Sequence, residues 1–132
     1  MAEQRVRRAP RTAEFQAFLG GAYLEAGRAP DALEPLETAV RLDPRLAVAQ
    51  SDLGSALLAV NRVQDALPHL QRAVALSPRD ETMLFNLGNA LRKASRPREA
   101  AAAYGSALTL NPDFPGCARE PRRAPDVAGT AG

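Results

Sequence analysis

The chain contains no tryptophan, and only one cysteine, one histidine and one lysine (Lys93). Each shortage removes a class of chemistry. A lone cysteine, Cys117, cannot close an internal disulfide, which agrees with a reducing compartment. A lone histidine, His69, rules out a histidine pair, and no metal ligands recur at tetrahedral spacing. Cys117 lies in a stretch rich in Pro, Gly and Ala, without the structured electropositive setting that a reactive thiol needs. The phosphate-cradling pattern Gly-x-x-x-x-Gly-Lys-Ser/Thr is missing too. No catalytic group, cofactor or metal is therefore expected. Met1 to Thr12 lacks the apolar run of a secretory signal, and no stretch approaches the roughly 20 apolar residues of a membrane helix. By elimination, a cytoplasmic location and no membrane partner are expected.

What is present is small and aliphatic. Hydrophobic residues make up 45% of the 132 positions and aromatics 5%, so the core must be built from Ala, Leu and Val, as in close-packed helices. The formal net charge of +2 is unevenly placed. Residues 1–12 carry +3 (Arg5, Arg7, Arg8 and Arg11 against Glu3), residues 13–114 carry −2 and residues 115–132 carry +1. The body is thus not basic. With no stacking aromatics beside the terminal arginines, a nucleic-acid partner is not expected.

The stretch Ser51 to Pro78 organises the rest. Its Leu53-Gly54, Leu57, Ala66, Leu70, Ala73 and Pro78 recur 34 residues earlier as Leu19-Gly20, Tyr23, Ala32, Leu36, Ala39 and Pro44. They recur 34 residues later as Leu87-Gly88, Leu91, Ala100, Tyr104, Ala107 and Pro112. A fixed period of this size marks a stacked repeat array. Within each unit the signals read helix–turn–helix. Thr12 N-caps a helix over Ala13–Ala26, Gly27 ends it, and Pro30 opens a second that runs to about Leu42. Unit two has helices from about Ala47, stopped at Asn61, and from about Gln64 to Leu76. Unit three starts behind Asp80, breaks at Ser95-Arg96-Pro97, and runs from about Arg98 to Leu110. Pro35 and Pro68 fall inside the second helices, where a bend or a late helix start is expected. Glycine facing alanine lets paired helices approach closely.

These units resemble tetratricopeptide repeats. The Leu-Gly pair, the large residue three positions later, the two alanines and the closing proline match that family at its 34-residue length over 13–46, 47–80 and 81–114. The family's tryptophan is replaced by Gln16, Gln50 and Leu84. The resemblance implies an all-α, right-handed solenoid of three antiparallel helix–turn–helix units, whose first helices line a concave groove for a partner's peptide or helix. Residues 1–12 form a basic arm, either a remnant of a preceding repeat or a frayed terminus. Gln4–Arg11 aligns with Thr38–Arg45 at the same spacing. The tail, 115–132, reads as disordered.

Angles of about 100° per residue set the side of each first helix that turns away from its partner helix. The candidate peptide-binding residues on that side are Glu14, Ala17, Gly21 and Glu25 in unit one, and Ser51, Asp52 and Ser55 in unit two. Unit three supplies Phe85, Asn86, Asn89, Arg92 and Lys93. Unit one is acidic, unit two nearly neutral, and unit three offers two amides and two cations, so an acidic segment of the partner is expected over unit three. The carboxylate clamp of chaperone-binding family members is not expected, because Ala17, Gly21 and Asp52 stand in its places. The last helix presents Tyr104, Leu108, Leu110 and Phe114 with no closing helix, which invites self-association. The expected function is a non-catalytic protein–protein interaction module. The alternative is the substrate-recruiting or regulatory portion of a larger glycosyltransferase- or sulfotransferase-like enzyme.

Overall fold

The structure, a computed structural model, describes residues 12–113. The N-terminal arm, Phe114 and the tail with Cys117 lie outside the described residues. Six helices follow in order among the described residues: α1 (Ala13–Glu25), α2 (Ala29–Leu42), α3 (Ala47–Ala59), α4 (Val63–Leu76), α5 (Glu81–Lys93) and α6 (Pro97–Leu110). No strand occurs among the described residues. Each odd-numbered helix pairs with the helix after it, and the pairs stack, with α1 touching α3 and α3 touching α5. The molecule is an all-α solenoid of helix–turn–helix units.

Local chemistry sets the boundaries. The Thr12 hydroxyl accepts from the Phe15 amide at 3.1 Å, and the Asp80 carboxylate accepts from the Met83 amide at 3.1 Å. Each satisfies an amide that a helix start would leave open. The turns inside the units share one geometry. Gly27, Asn61 and Ser95 take φ of 77°, 68° and 64°. The next amide, from Arg28, Arg62 or Arg96, reaches back to Tyr23, Leu57 or Leu91 O at 2.8, 2.7 and 2.9 Å. This closes a left-handed C-terminal cap. The same arginines then bind Asp31, Asp65 and Glu99 in the first turn of the following helix. All three pairs are solvent-exposed, so they contribute little to stability.

The prolines inside α2 and α4 do not delay those helices. Each helix begins well ahead of its proline, at Ala29 and Val63. Of the two expected outcomes, a bend or a late start, the late start is corrected: each ring sits in the second turn of its helix, where it removes one backbone hydrogen bond without stopping the helix.

Close helix approach rests on glycine. A Cβ added to Gly54 would collide with the Leu70 side chain, and one on Gly20 with Leu36. On Gly88 it would stand 2.7 Å from the Tyr104 ring. Leu36, Leu53 and Leu70 are fully buried beside Ala32, Ala56 and Ala66 in one continuous core. Burial of each such leucine contributes roughly 1.5–3 kcal/mol.

One buried polar joint ties units one and two together. Gln50, 3% exposed, donates from Nε2 to the Pro44 carbonyl at 2.9 Å, and its Oε1 meets His69 Nδ1 at 2.8 Å. Since the amide oxygen only accepts, His69 carries its proton on Nδ1. Burial, then nearby Arg72, lowers the His69 pKa below the usual imidazole value.

Candidate functional site

The outward sides of α1, α3 and α5 carry the sequence-predicted residues. Between α3 and α5 lies an open hollow of about 560 Å³, lined by Ser55, Leu58, Ala59, Phe85, Asn86, Asn89, Arg92 and Lys93. It thus brings together six predicted residues, Ser55 and the five of unit three, over an aliphatic floor of Leu58 and Ala59. Arg92 and Lys93 are exposed in the last turn of α5, where cations also complement the helix dipole.

Tyr104, on α6, organises this end. Its hydroxyl donates to Asn89 Oδ1 at 2.5 Å and accepts from Arg92 Nε at 3.4 Å. Its ring lies 5.7 Å from that of Phe85. Sequence reasoning placed Tyr104 in the apolar end face and missed this role. The signal was there, because Tyr104 occupies the position that Leu36 and Leu70 hold in the other units. A ring fits above Gly88 as those leucines do above theirs, and its hydroxyl extends to the outward side. Asn89 keeps its amide nitrogen for a ligand but has its oxygen engaged, and Asn86 donates to Ser51 Oγ at 3.3 Å.

Two predicted residues are corrected. Ala17 is buried against Ala39 and Ala49. Ser51 is also buried, 4% exposed, and is held by Asn86. Ala17 meets its partner helix at Ala39 and the following unit at Ala49, while Ser51 is covered from the following unit by Asn86. Phe85 holds the same register in unit three and is only half-buried.

The other half of the outward surface is acidic and apolar. Glu14 and Glu25 are exposed on α1. Gly21 leaves room for Asp52, whose Oδ2 lies 3.3 Å from where a Gly21 Cβ would stand. Burial, then the charge of Glu25, pushes the Asp52 carboxyl up to about 6. Phe18 is 75% exposed and Val48 52%.

Of the expected apolar end at α6, three side chains lie among the described residues, and Phe114 lies outside them. Leu108, Leu110 and Tyr104 are half-buried around Leu84 and Ala107. Among the described residues the exposed large apolar side chains are Phe15, Phe18, Leu42 and Val48, all in units one and two. No helix among the described residues is long and apolar enough to cross a membrane. No group of three or more His, Cys, Asp or Glu side chains there is arranged to hold a metal ion.

A family model described as "Tetratricopeptide repeat" matches residues 1–47 and 51–115. A sequence search of curated proteins gave no match. Among solved structures, a crystal structure of MamA superposes with a TM-score of 0.75 at 30% identity, covering 85% of this chain and 66% of that one. The second TPR of Spaghetti (RPAP3), bound to the HSP90 peptide SRMEEVD, gives 0.71 at 17% identity, covering 83% and 99%. YrrB, described as a TPR protein with an unusual peptide-binding site, gives 0.74 at 19% identity, covering 87% and 59%. The chain therefore spans less than two thirds of the MamA and YrrB chains, 66% and 59%. The likeness to RPAP3 and YrrB is one of fold.

Proposed function

This chain belongs to the tetratricopeptide repeat family, and from that premise we propose that it is a protein-interaction module holding an extended segment of a partner across α1, α3 and α5. The observation that carries the reading is the hollow between α3 and α5, with an aliphatic floor, amide groups and two exposed cations. A hollow of this composition suits a peptide that buries a small apolar side chain on Leu58 and Ala59. The peptide backbone meets the amides, and an acidic residue meets Arg92 and Lys93. Two relatives of like fold are described as peptide-bound or peptide-binding, which supports the same use here.

The test is direct. The paired substitution Asn89→Ala and Arg92→Ala should weaken binding of a labelled acidic peptide by about tenfold or more, since it removes an amide and a charge-assisted contact. Unchanged affinity in fluorescence anisotropy would move the binding surface elsewhere.

A further inference from the structure

The outward surface has a direction that the proposed function does not use. The last-turn residues of the three first helices correspond at the 34-residue spacing: Leu24-Glu25, Leu58-Ala59 and Arg92-Lys93. Read across α1, α3 and α5, that row runs from acid through aliphatic to base. Asp52 reinforces the acidic end. It lies against Gly21 and within the field of Glu25. Neither Asp52 nor Glu25 takes part in the ion pairs among the described residues, which are Arg28–Asp31, Arg62–Asp65 and Arg96–Glu99. Exposed Phe18 and Val48 add apolar surface on the same side.

The separation fixes a length. Adjacent packed helices lie about 8–10 Å apart, so α1 and α5, with α3 between them, are about 18 Å apart. An extended chain covers that distance in about six residues at roughly 3.3 Å each. We propose that the surface reads charge order: it takes an extended segment of a partner protein with basic residues over Glu25 and Asp52, acidic residues over Arg92 and Lys93, and about six small or apolar residues between. This rests on the binding reading above and adds a second anchor to it.

Three labelled peptides test it by fluorescence anisotropy with the full chain at neutral pH. One carries two arginines, six alternating alanines and valines, and two glutamates. The second has glutamates at both ends and the third has arginines at both ends. The mixed peptide should bind about five- to tenfold more tightly than either of the others, because at one anchor a solvent-exposed attraction replaces a repulsion. Shortening its spacer to about two residues should erase the advantage, because the peptide then no longer spans the two anchors. Glu25→Lys, at an exposed site, should turn the preference toward the all-glutamate peptide. Equal binding of the mixed and all-glutamate peptides, or a preference untouched by Glu25→Lys, overturns the inference. In that case loss of both on Arg92→Glu leaves the single-anchor reading standing. Failure of all three peptides to bind sinks both.

Discussion

The inward and outward sides of α1, α3 and α5 follow opposite rules. Inward, the same chemistry recurs in every unit, with glycine under a large side chain from the partner helix at Gly20 and Leu36, Gly54 and Leu70, and Gly88 and Tyr104. Outward, most equivalent positions diverge: Glu25 becomes Ala59 and then Lys93, and Gly21 becomes Ser55 and then Asn89, with Leu24 and Leu58 a matched pair that gives way to Arg92. Packing between paired helices tolerates little variation in volume, whereas a solvent-facing side chain is free to change. The repeated side builds the solenoid and the varied side is left for recognition.

Neighbouring residues test this division most severely. Gly54→Val should destabilise by about 3 kcal/mol or more, because its branched side chain has to displace Leu70. Ser55→Ala, one residue along and facing the hollow, should cost about 0.5 kcal/mol or less. Chemical denaturation followed by circular dichroism measures both, and equal losses would erase the distinction. Next in size, Arg92→Glu with Lys93→Glu should reduce affinity for an acidic peptide by more than about tenfold, while the lost dipole and Tyr104 contacts lower the melting temperature by only a few degrees.

Asp52 sits where the two rules meet. Its folded carboxyl is raised from 3.8 to about 6, so the folded state binds the extra proton between those values. Its contribution is neutral below that window. It then erodes stability as the pH rises through the window, and stays flat above it. Discounted for partial exposure, the neutral-pH cost is about 1 kcal/mol. Asp52→Asn should therefore be more stable than the parent by about that amount at pH 7, with the difference vanishing near pH 4. A constant difference at both pH values would show that the carboxyl is not perturbed. The smallest expected change is a gain on the building side. Ser95→Gly should stabilise by about 0.5–1 kcal/mol by relieving a positive φ that serine adopts at a cost. A thermal shift in the other direction would argue against strain at that turn.

The fold was legible because its determinants are local and repeated. Gly27 and Asn61 announced the turns, Thr12 and Asp80 the helix starts, and the Gly-Ala-Pro frame the pairing of helices. The candidate site was only partly legible, since a helical wheel divides a rod into two sides whereas a helix in a stack has three kinds of neighbour. Ala17 is enclosed between its partner helix, at Ala39, and the next unit, at Ala49, and Ser51 lies under Asn86 of the next unit. Tyr104 escaped for the converse reason: it belongs to the core by position and reaches the outward side only through the length of its ring. Neither fact follows from spacing alone, and both follow once the units are stacked.

The glutamine standing where the family keeps tryptophan makes His69 a natural gauge. Its ring holds one fixed tautomer only while Gln50 is clamped to the Pro44 carbonyl, that is, while the first and second units are seated together. The two imidazole nitrogen resonances of this lone histidine would therefore report, in a single spectrum and without any label attached to the surface, whether the solenoid is opening between those units before it melts as a whole.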